Sequence, residues 1–150
     1  MSYIPSVNIE HGITDDFQYI VTPNTKNVWG NIVSCYHEGM HSFTIIGTYG
    51  TGKSSFLAAL QRDLTKKSSV LVENHNVFNT SRYEFLNVVG DYASLSSLLA
   101  VKLGLEEYAT SEEVLTALSK KYDNAKKTDK FFFLVVDEFG KILEHAAANN

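Results

Sequence analysis

Gly47-Thr48-Tyr49-Gly50-Thr51-Gly52-Lys53-Ser54 lies between a short apolar run, Ser42-Phe43-Thr44-Ile45-Ile46, and a segment with helical periodicity. The octet fits G-x-x-x-x-G-K-[ST] at every fixed position. A triphosphate needs several backbone N–H donors converging on one point, and glycines let the chain curl there without Cβ clashes. A helix starting near Lys53 adds the positive end of its dipole. The Lys53 ammonium suits the β- and γ-phosphates, and the Ser54 hydroxyl suits Mg²⁺. The expected nucleotide contacts are Gly47, Thr48, Tyr49, Gly50, Thr51, Gly52, Lys53, Ser54 and Ser55. The plainer reading is a glycine-rich turn before an amphipathic helix. A strand before the turn and a helix after it are the context the phosphate reading requires.

Downstream, Phe131-Phe132-Phe133-Leu134-Val135-Val136 is apolar at every position, the pattern of a strand buried on both faces of a parallel sheet. Asp137-Glu138 follows directly, at the carboxyl end where open α/β sheets bind ligands. Asp137 is suited to hold Mg²⁺, and Glu138 to accept a proton from an attacking water or to orient it. Acidic residues that begin a helix to offset its dipole are the competing explanation for this pair.

Between and around these motifs the elements alternate. Phe17-Gln18-Tyr19-Ile20-Val21-Thr22 is rich in strand formers. A helix is expected from Pro23-Asn24-Thr25, with Val28, Ile32, Val33, Tyr36 and Met40 on one face and Gly39 as its stop. The helix from Lys53 places Phe56, Leu57, Leu60 and Leu64 inward and Gln61, Arg62 and Asp63 outward. Ser69-Val70-Leu71-Val72-Glu73 reads as a second strand. Tyr83 to Leu103 reads as mostly helical, bent or split at Gly90 and ended by Gly104. Thr110-Ser111-Glu112-Glu113 fits a capping box that starts a helix carrying Val114, Leu115, Leu118 and Tyr122. A last helix carries Phe139, Ile142, Leu143 and Ala146. Strands alternating with helices imply an α/β fold with a mostly parallel sheet of about three core strands. Residues 1–23 form an arm or linker in this reading, and residues 24–150 the core.

The segments Gly47–Ser54 and Phe131–Glu138 resemble the Walker A and Walker B motifs of P-loop NTPases. The consecutive Asp-Glu is similar to the additional-strand, catalytic-glutamate division, which includes AAA+ and STAND ATPases. Ile45 to Leu57 and Asp137-Glu138-Phe139-Gly140-Lys141 resemble initiator-like and STAND-like members, a look shared by large ATP-binding proteins of bacterial defence systems. The resemblance implies a three-layer α/β/α domain with sheet order 5-1-4-3-2, ATP and Mg²⁺ as ligands, and Mg²⁺-dependent ATP hydrolysis by a motor or switch. Lys53 and Glu138 would then be the catalytic residues, and Ser54 and Asp137 the metal-binding ones.

In that division a sensor strand, a lid and an arginine finger come after Walker B. Here one helix follows Asp137, and both arginines, Arg62 and Arg82, precede it. The expectation is a piece of a larger ATPase, with protein partners or self-association through the remaining elements. A minimal domain with the Walker B strand beside the first strand, as in kinase-like folds, is the other arrangement. A nucleotide-dependent interaction module without turnover and a small P-loop kinase are the alternative functions. So few arginines speak against the kinase.

Composition sets the outer limits. The 150 residues are 44% hydrophobic and 20% charged, as in an ordinary globular domain. A net charge of −4 gives no global attraction to nucleic acid or to anionic membrane. No apolar run approaches the roughly 18–20 residues that cross a bilayer. Met1 to Pro5 has no basic region leading into an apolar stretch, so no signal peptide is expected. The single cysteine, Cys35, excludes an intramolecular disulfide and a zinc ribbon, which points to a cytoplasmic location. Lys120, Lys121, Lys126, Lys127 and Lys130 read as a solvated helix end, with Asp123 and Asp129 interleaved. His37, His41, His75 and His145 lack ligand spacing, and Asn74-His75-Asn76 reads as a turn. Tyr19 to Thr22 stand where related proteins often contact adenine.

Overall fold

A computed structural model of the chain describes residues 7–10, 18–66 and 68–149. The chain divides into two compact units, Met1–Ser81 and Arg82–Asn150. Most of the expected arm, and Phe17 of the first expected strand, lie outside the described residues.

The first unit holds two helices, α1 (Pro23–His37) and α2 (Lys53–Lys66). Thr22 starts α1 through a reciprocal cap. Its Oγ1 accepts from the Thr25 N–H at 3.2 Å, and Thr25 Oγ1 accepts from the Thr22 N–H at 3.0 Å. Pro23 sits in the first turn, where a missing N–H costs nothing. Gly39, at φ +96°, turns the chain out of the helix. Residues 18–22 form no strand: among the described residues no segment pairs with them, and Thr22, though extended, serves as the cap of α1. The buried face of α1 centres on Trp29, whose ring meets Phe78 edge-on at 6.0 Å, with Tyr36 meeting the same ring at 4.8 Å. Met40 lies beyond the helix and is exposed.

Two expected strands of this unit are absent as strands. Ser42–Ile46 is without ladder pairing, and Ile46 is 91% exposed. Residues 69–73 also form no strand. Leu71 and Val72 are buried there, but their N–H groups go to Asp63 Oδ2 at 2.5 and 2.9 Å. Ser68 Oγ donates to the other carboxylate oxygen. That use of Asp63 corrects the expected outward face of α2: Asp63 is 0% exposed, and Gln61 is buried too. Phe56, Leu60 and Leu64 are buried as expected. Asn74 to Asn76 form a turn, with Asn74 Oδ1 accepting the Asn76 N–H at 2.9 Å.

The second unit is mixed α/β: β1 (Tyr83–Val89), α3 (Leu95–Lys102), α4 (Ser111–Lys127), β2 (Phe131–Asp137) and α5 (Phe139–Ala148). The expected helix over residues 83–103 is corrected here. Residues 83–89 are a strand, and only Leu95–Lys102 is helical. Tyr, Phe and Val dominate the strand, and Leu86 and Val88 turn to the core at a period of two. β1 and β2 pair in parallel, Tyr83 opposite Phe131 through Val89 opposite Asp137. Among the described residues this sheet has two strands, so the expectation of about three is not met.

α3 and α4 make the crossover and cover one face. Leu86, Val88, Leu99, Ala100 and Val114 form its core, flanked by Phe132 and Val136. On the other face Phe85 and Phe133 stack at 4.9 Å. β2 is half-buried rather than buried on both faces, and Leu134 is 41% exposed, because one strand alone flanks it. α4 begins as its sequence predicts: Thr110 Oγ1 accepts the Glu113 N–H, and the Glu113 carboxylate accepts the Thr110 N–H at 2.8 Å. Leu115 and Tyr122 of α4, and Phe139 and Leu143 of α5, are exposed, while Val114, Ala125 and Ile142 are buried. Among the described residues no helix is long and apolar enough to cross a membrane.

Candidate functional site

The loop before α2 takes its shape from two left-handed residues. Gly50 and Gly52 lie at φ +79° and +83°, a region a side chain disfavours by roughly 1–2 kcal/mol. Thr51 closes the turn between them, its Oγ1 donating to the Thr48 carbonyl at 2.8 Å. The Phe56 N–H bonds the Gly52 carbonyl at 2.8 Å as the helix begins. In a helix starting at Lys53, the N–H groups of the first turn have no intrahelical acceptor. A cationic dipole end and outward-facing donors therefore coincide at Lys53, Ser54 and Ser55.

Lys53 reaches back over this loop. Its Nζ donates to the Gly47 carbonyl at 2.8 Å and to the Thr48 carbonyl at 2.9 Å. An ammonium has three donors, so one is left for an anion while two fix the side chain across the loop. Among the described residues, no acidic side chain pairs with it. Tyr49 projects from the loop tip at 92% exposed.

In the second unit, Asp137 ends β2 and is 8% exposed. Its Oδ1 accepts the Glu138 N–H at 2.9 Å, and among the described residues its carboxylate has no ion-pair partner. Buried carboxylates are ordinarily paired with a cation or hold a metal. Glu138 is the N-cap residue of α5 in the left-handed region, at φ 52° and ψ 34°. Its side chain makes no capping bond and is exposed, which leaves the carboxylate available. The Gly90 N–H bonds the Asp137 carbonyl at 2.8 Å and extends the ladder past Val89.

No family model, curated protein or solved structure matches this chain. The functional reading stands on the residues themselves.

The structure places Gly47 to Ser55 together as one loop and helix start, and Asp137 and Glu138 together at a strand end. The first group belongs to one unit and the second to the other. Among the described residues, no cluster of three or more His, Cys, Asp or Glu is arranged around a metal position. Each unit separately offers an oxygen donor of the kind Mg²⁺ takes, the Ser54 hydroxyl in one and the Asp137 carboxylate in the other.

Thr22, one of the residues expected near adenine, is occupied as a cap. Burial pushes the Tyr19 phenol above its ordinary value, against the effect of a Thr25 hydrogen bond. Two of the clustered lysines have a structural task that the sequence did not disclose. Lys121 and Lys130 each meet a Glu84 oxygen at 3.1 Å, tying α4 and the start of β2 to β1. These hydrogen bonds hold the Glu84 carboxyl below its usual range. Gly90 and Asp63 were also missed as supporting residues. The signal for Gly90 was a lone glycine at the end of a run of strand formers.

Proposed function

We propose that the chain binds a nucleoside triphosphate, ATP in the first instance, with Mg²⁺, and that its role is ATP hydrolysis within an AAA+- or STAND-like P-loop ATPase. The observation that carries this reading is the Gly47–Ser55 loop. Two left-handed glycines, a lysine folded over the loop and a helix start meet there within nine residues. Of the context the motif calls for, the helix after the loop is present, and the segment before it forms no strand among the described residues.

The residues have separate tasks. Backbone N–H groups of the loop and the first turn of α2 bind phosphate oxygens, and Lys53 neutralises charge on the β- and γ-phosphates. Ser54 and Asp137 would hold Mg²⁺, which would supply further neutralisation of phosphate charge. Glu138 orients the attacking water and takes up its proton. Catalysis of this type is mainly positioning and electrostatic stabilisation.

The small number of arginines favours the ATPase reading over the small kinase, and the parallel pairing of β1 with β2 fits both. The strand ending in Asp137 lies beside residues 83–89, which precede it in the chain, as strands 2 and 3 do in the order 5-1-4-3-2.

Calorimetric titration of ATP with and without Mg²⁺ tests the proposal. The parent protein is expected to bind more tightly with Mg²⁺, and Asp137→Asn to lose most of that gain while keeping Mg²⁺-free binding. No ATP binding by the parent under either condition would reject the reading.

A further inference from the structure

We propose that Gly90 is a positioning residue for the Asp137–Glu138 pair, setting where the two carboxylates stand by leaving room for the Glu138 carbonyl. The proposal rests on the functional reading above for what those carboxylates do, but its geometry stands independently.

A Cβ built on Gly90 would lie 2.3 Å from the Glu138 carbonyl oxygen, 2.8 Å from the Glu138 carbonyl carbon and 3.2 Å from the Asp137 carbonyl oxygen. All three are backbone atoms, so no rotamer change relieves the overlap. The backbone at Gly90 is not in the left-handed region, where Gly39, Gly50, Gly52 and Gly104 lie. Glycine is therefore required here by its neighbour and not by its own turn.

That neighbour is under several constraints at once. The Glu138 carbonyl lying against Gly90 also accepts the Lys141 N–H at 3.1 Å, an opening bond of α5. The Glu138 N–H is bonded to Asp137 Oδ1. Residue 138 is not glycine yet sits at φ 52°, a conformation that persists only where surroundings enforce it. The Gly90 N–H bond to the Asp137 carbonyl supplies part of that enforcement. Moving the carbonyl by the ångström that a methyl group demands would turn the 138–139 peptide to which it belongs, and displacing the Asp137 carbonyl, 3.2 Å from the same Cβ, would shift the 137–138 peptide. The Asp137 carboxylate would then lose its N–H partner and the Glu138 side chain would point elsewhere.

Gly90→Ala is compared with Val88→Ala, which removes apolar contacts from the same strand at a fully buried residue away from Glu138. Two readouts apply to the full chain. In nucleotide titrations, Gly90→Ala is expected to lose at least tenfold in Mg²⁺-dependent ATP affinity with Mg²⁺-free affinity unchanged, while Val88→Ala keeps the Mg²⁺ gain. In amide NMR without nucleotide, Gly90→Ala is expected to move the Glu138 N–H resonance far more than Val88→Ala does. An unmoved Glu138 resonance, or the same Mg²⁺ dependence in both variants, overturns the proposal. If the parent binds no nucleotide, the functional reading fails and the NMR comparison alone decides the role of Gly90. Should Gly90→Ala not fold, Glu138→Gly is added to free the 138 peptide. Restored folding of the double variant supports the contact, and continued failure to fold overturns it.

Discussion

Replacing Asp63 with alanine removes the acceptor on which the segment after α2 closes. Two N–H groups, of Leu71 at 3% exposure and Val72 at 0%, both point at Asp63 Oδ2. Leaving a buried donor unsatisfied costs about 1–3 kcal/mol. Two such donors give about 2–6 kcal/mol, and water entering the space of the lost carboxylate brings the expectation to about 2–4 kcal/mol. Asp63→Asn is the informative partner. Its amide oxygen can still accept both N–H groups, and its NH₂ can donate to the Ser68 hydroxyl, whose Oγ now donates to the carboxylate. Losing the charge assistance and the ion pair with Arg62, whose Nε lies 3.9 Å from Oδ1, it is expected to cost about 1–2 kcal/mol. Urea unfolding measures both, provided the slope with denaturant is unchanged. A loss below about 0.5 kcal/mol for Asp63→Ala would refute the accounting, since it would mean that the two donors find other partners. Equal losses for Ala and Asn would show that charge, not acceptor geometry, is what matters.

Glu84 titrates below its usual range because Lys121 and then Lys130 hydrogen-bond its carboxylate. A depressed folded value means the contribution is present above the unfolded value and is lost as pH falls through the folded one. Glu84→Gln is therefore expected to cost at most about 1 kcal/mol at pH 7, and the difference from the parent should vanish in acid, read from unfolding curves across pH. Thr110→Ala breaks the reciprocal cap of α4 and is expected to cost about 1 kcal/mol, checked by thermal melting. Glu138→Gln is expected to keep ATP–Mg²⁺ binding and to lose whatever phosphate release the parent shows. Parent-like release in that variant would move the water-orienting role to another residue.

Local chemistry made several elements legible in the sequence. Thr110 and Glu113 announced α4, Gly39 and Gly104 marked helix exits, and the octet ending at Ser54 located both the loop and the start of α2. Phe131 to Val136, apolar throughout, marked β2. What failed depended on distant partners. Phe85, Val88 and Val89 satisfy a helical spacing as well as strand preferences, and pairing with Phe133, Val136 and Asp137 decides for the strand. Ser42–Ile46 and Ser69–Glu73 have strand-forming side chains, yet a strand exists only where a neighbour supplies the ladder. Asp63 falls on the polar side of its helix by periodicity. A turn eight and nine residues ahead, at Leu71 and Val72, folds back over it and buries it. Within the candidate site the chemical residues were visible as motifs, whereas Gly90 was not. Its requirement comes from the approach of a carbonyl 48 residues further along the chain.

Titration of a fluorescent ATP analogue into the parent and into Lys53→Ala, with Mg²⁺ present, tests the central claim most directly. Lys53 is the one side-chain cation among residues 47–55, and its ammonium already spans the Gly47 and Thr48 carbonyls at 2.8 and 2.9 Å. Removing it is expected to weaken binding at least tenfold, about 1.4 kcal/mol. Circular dichroism should show the helices of the variant intact. Equal affinity in a folded Lys53→Ala protein would contradict the assignment of this loop to phosphate binding.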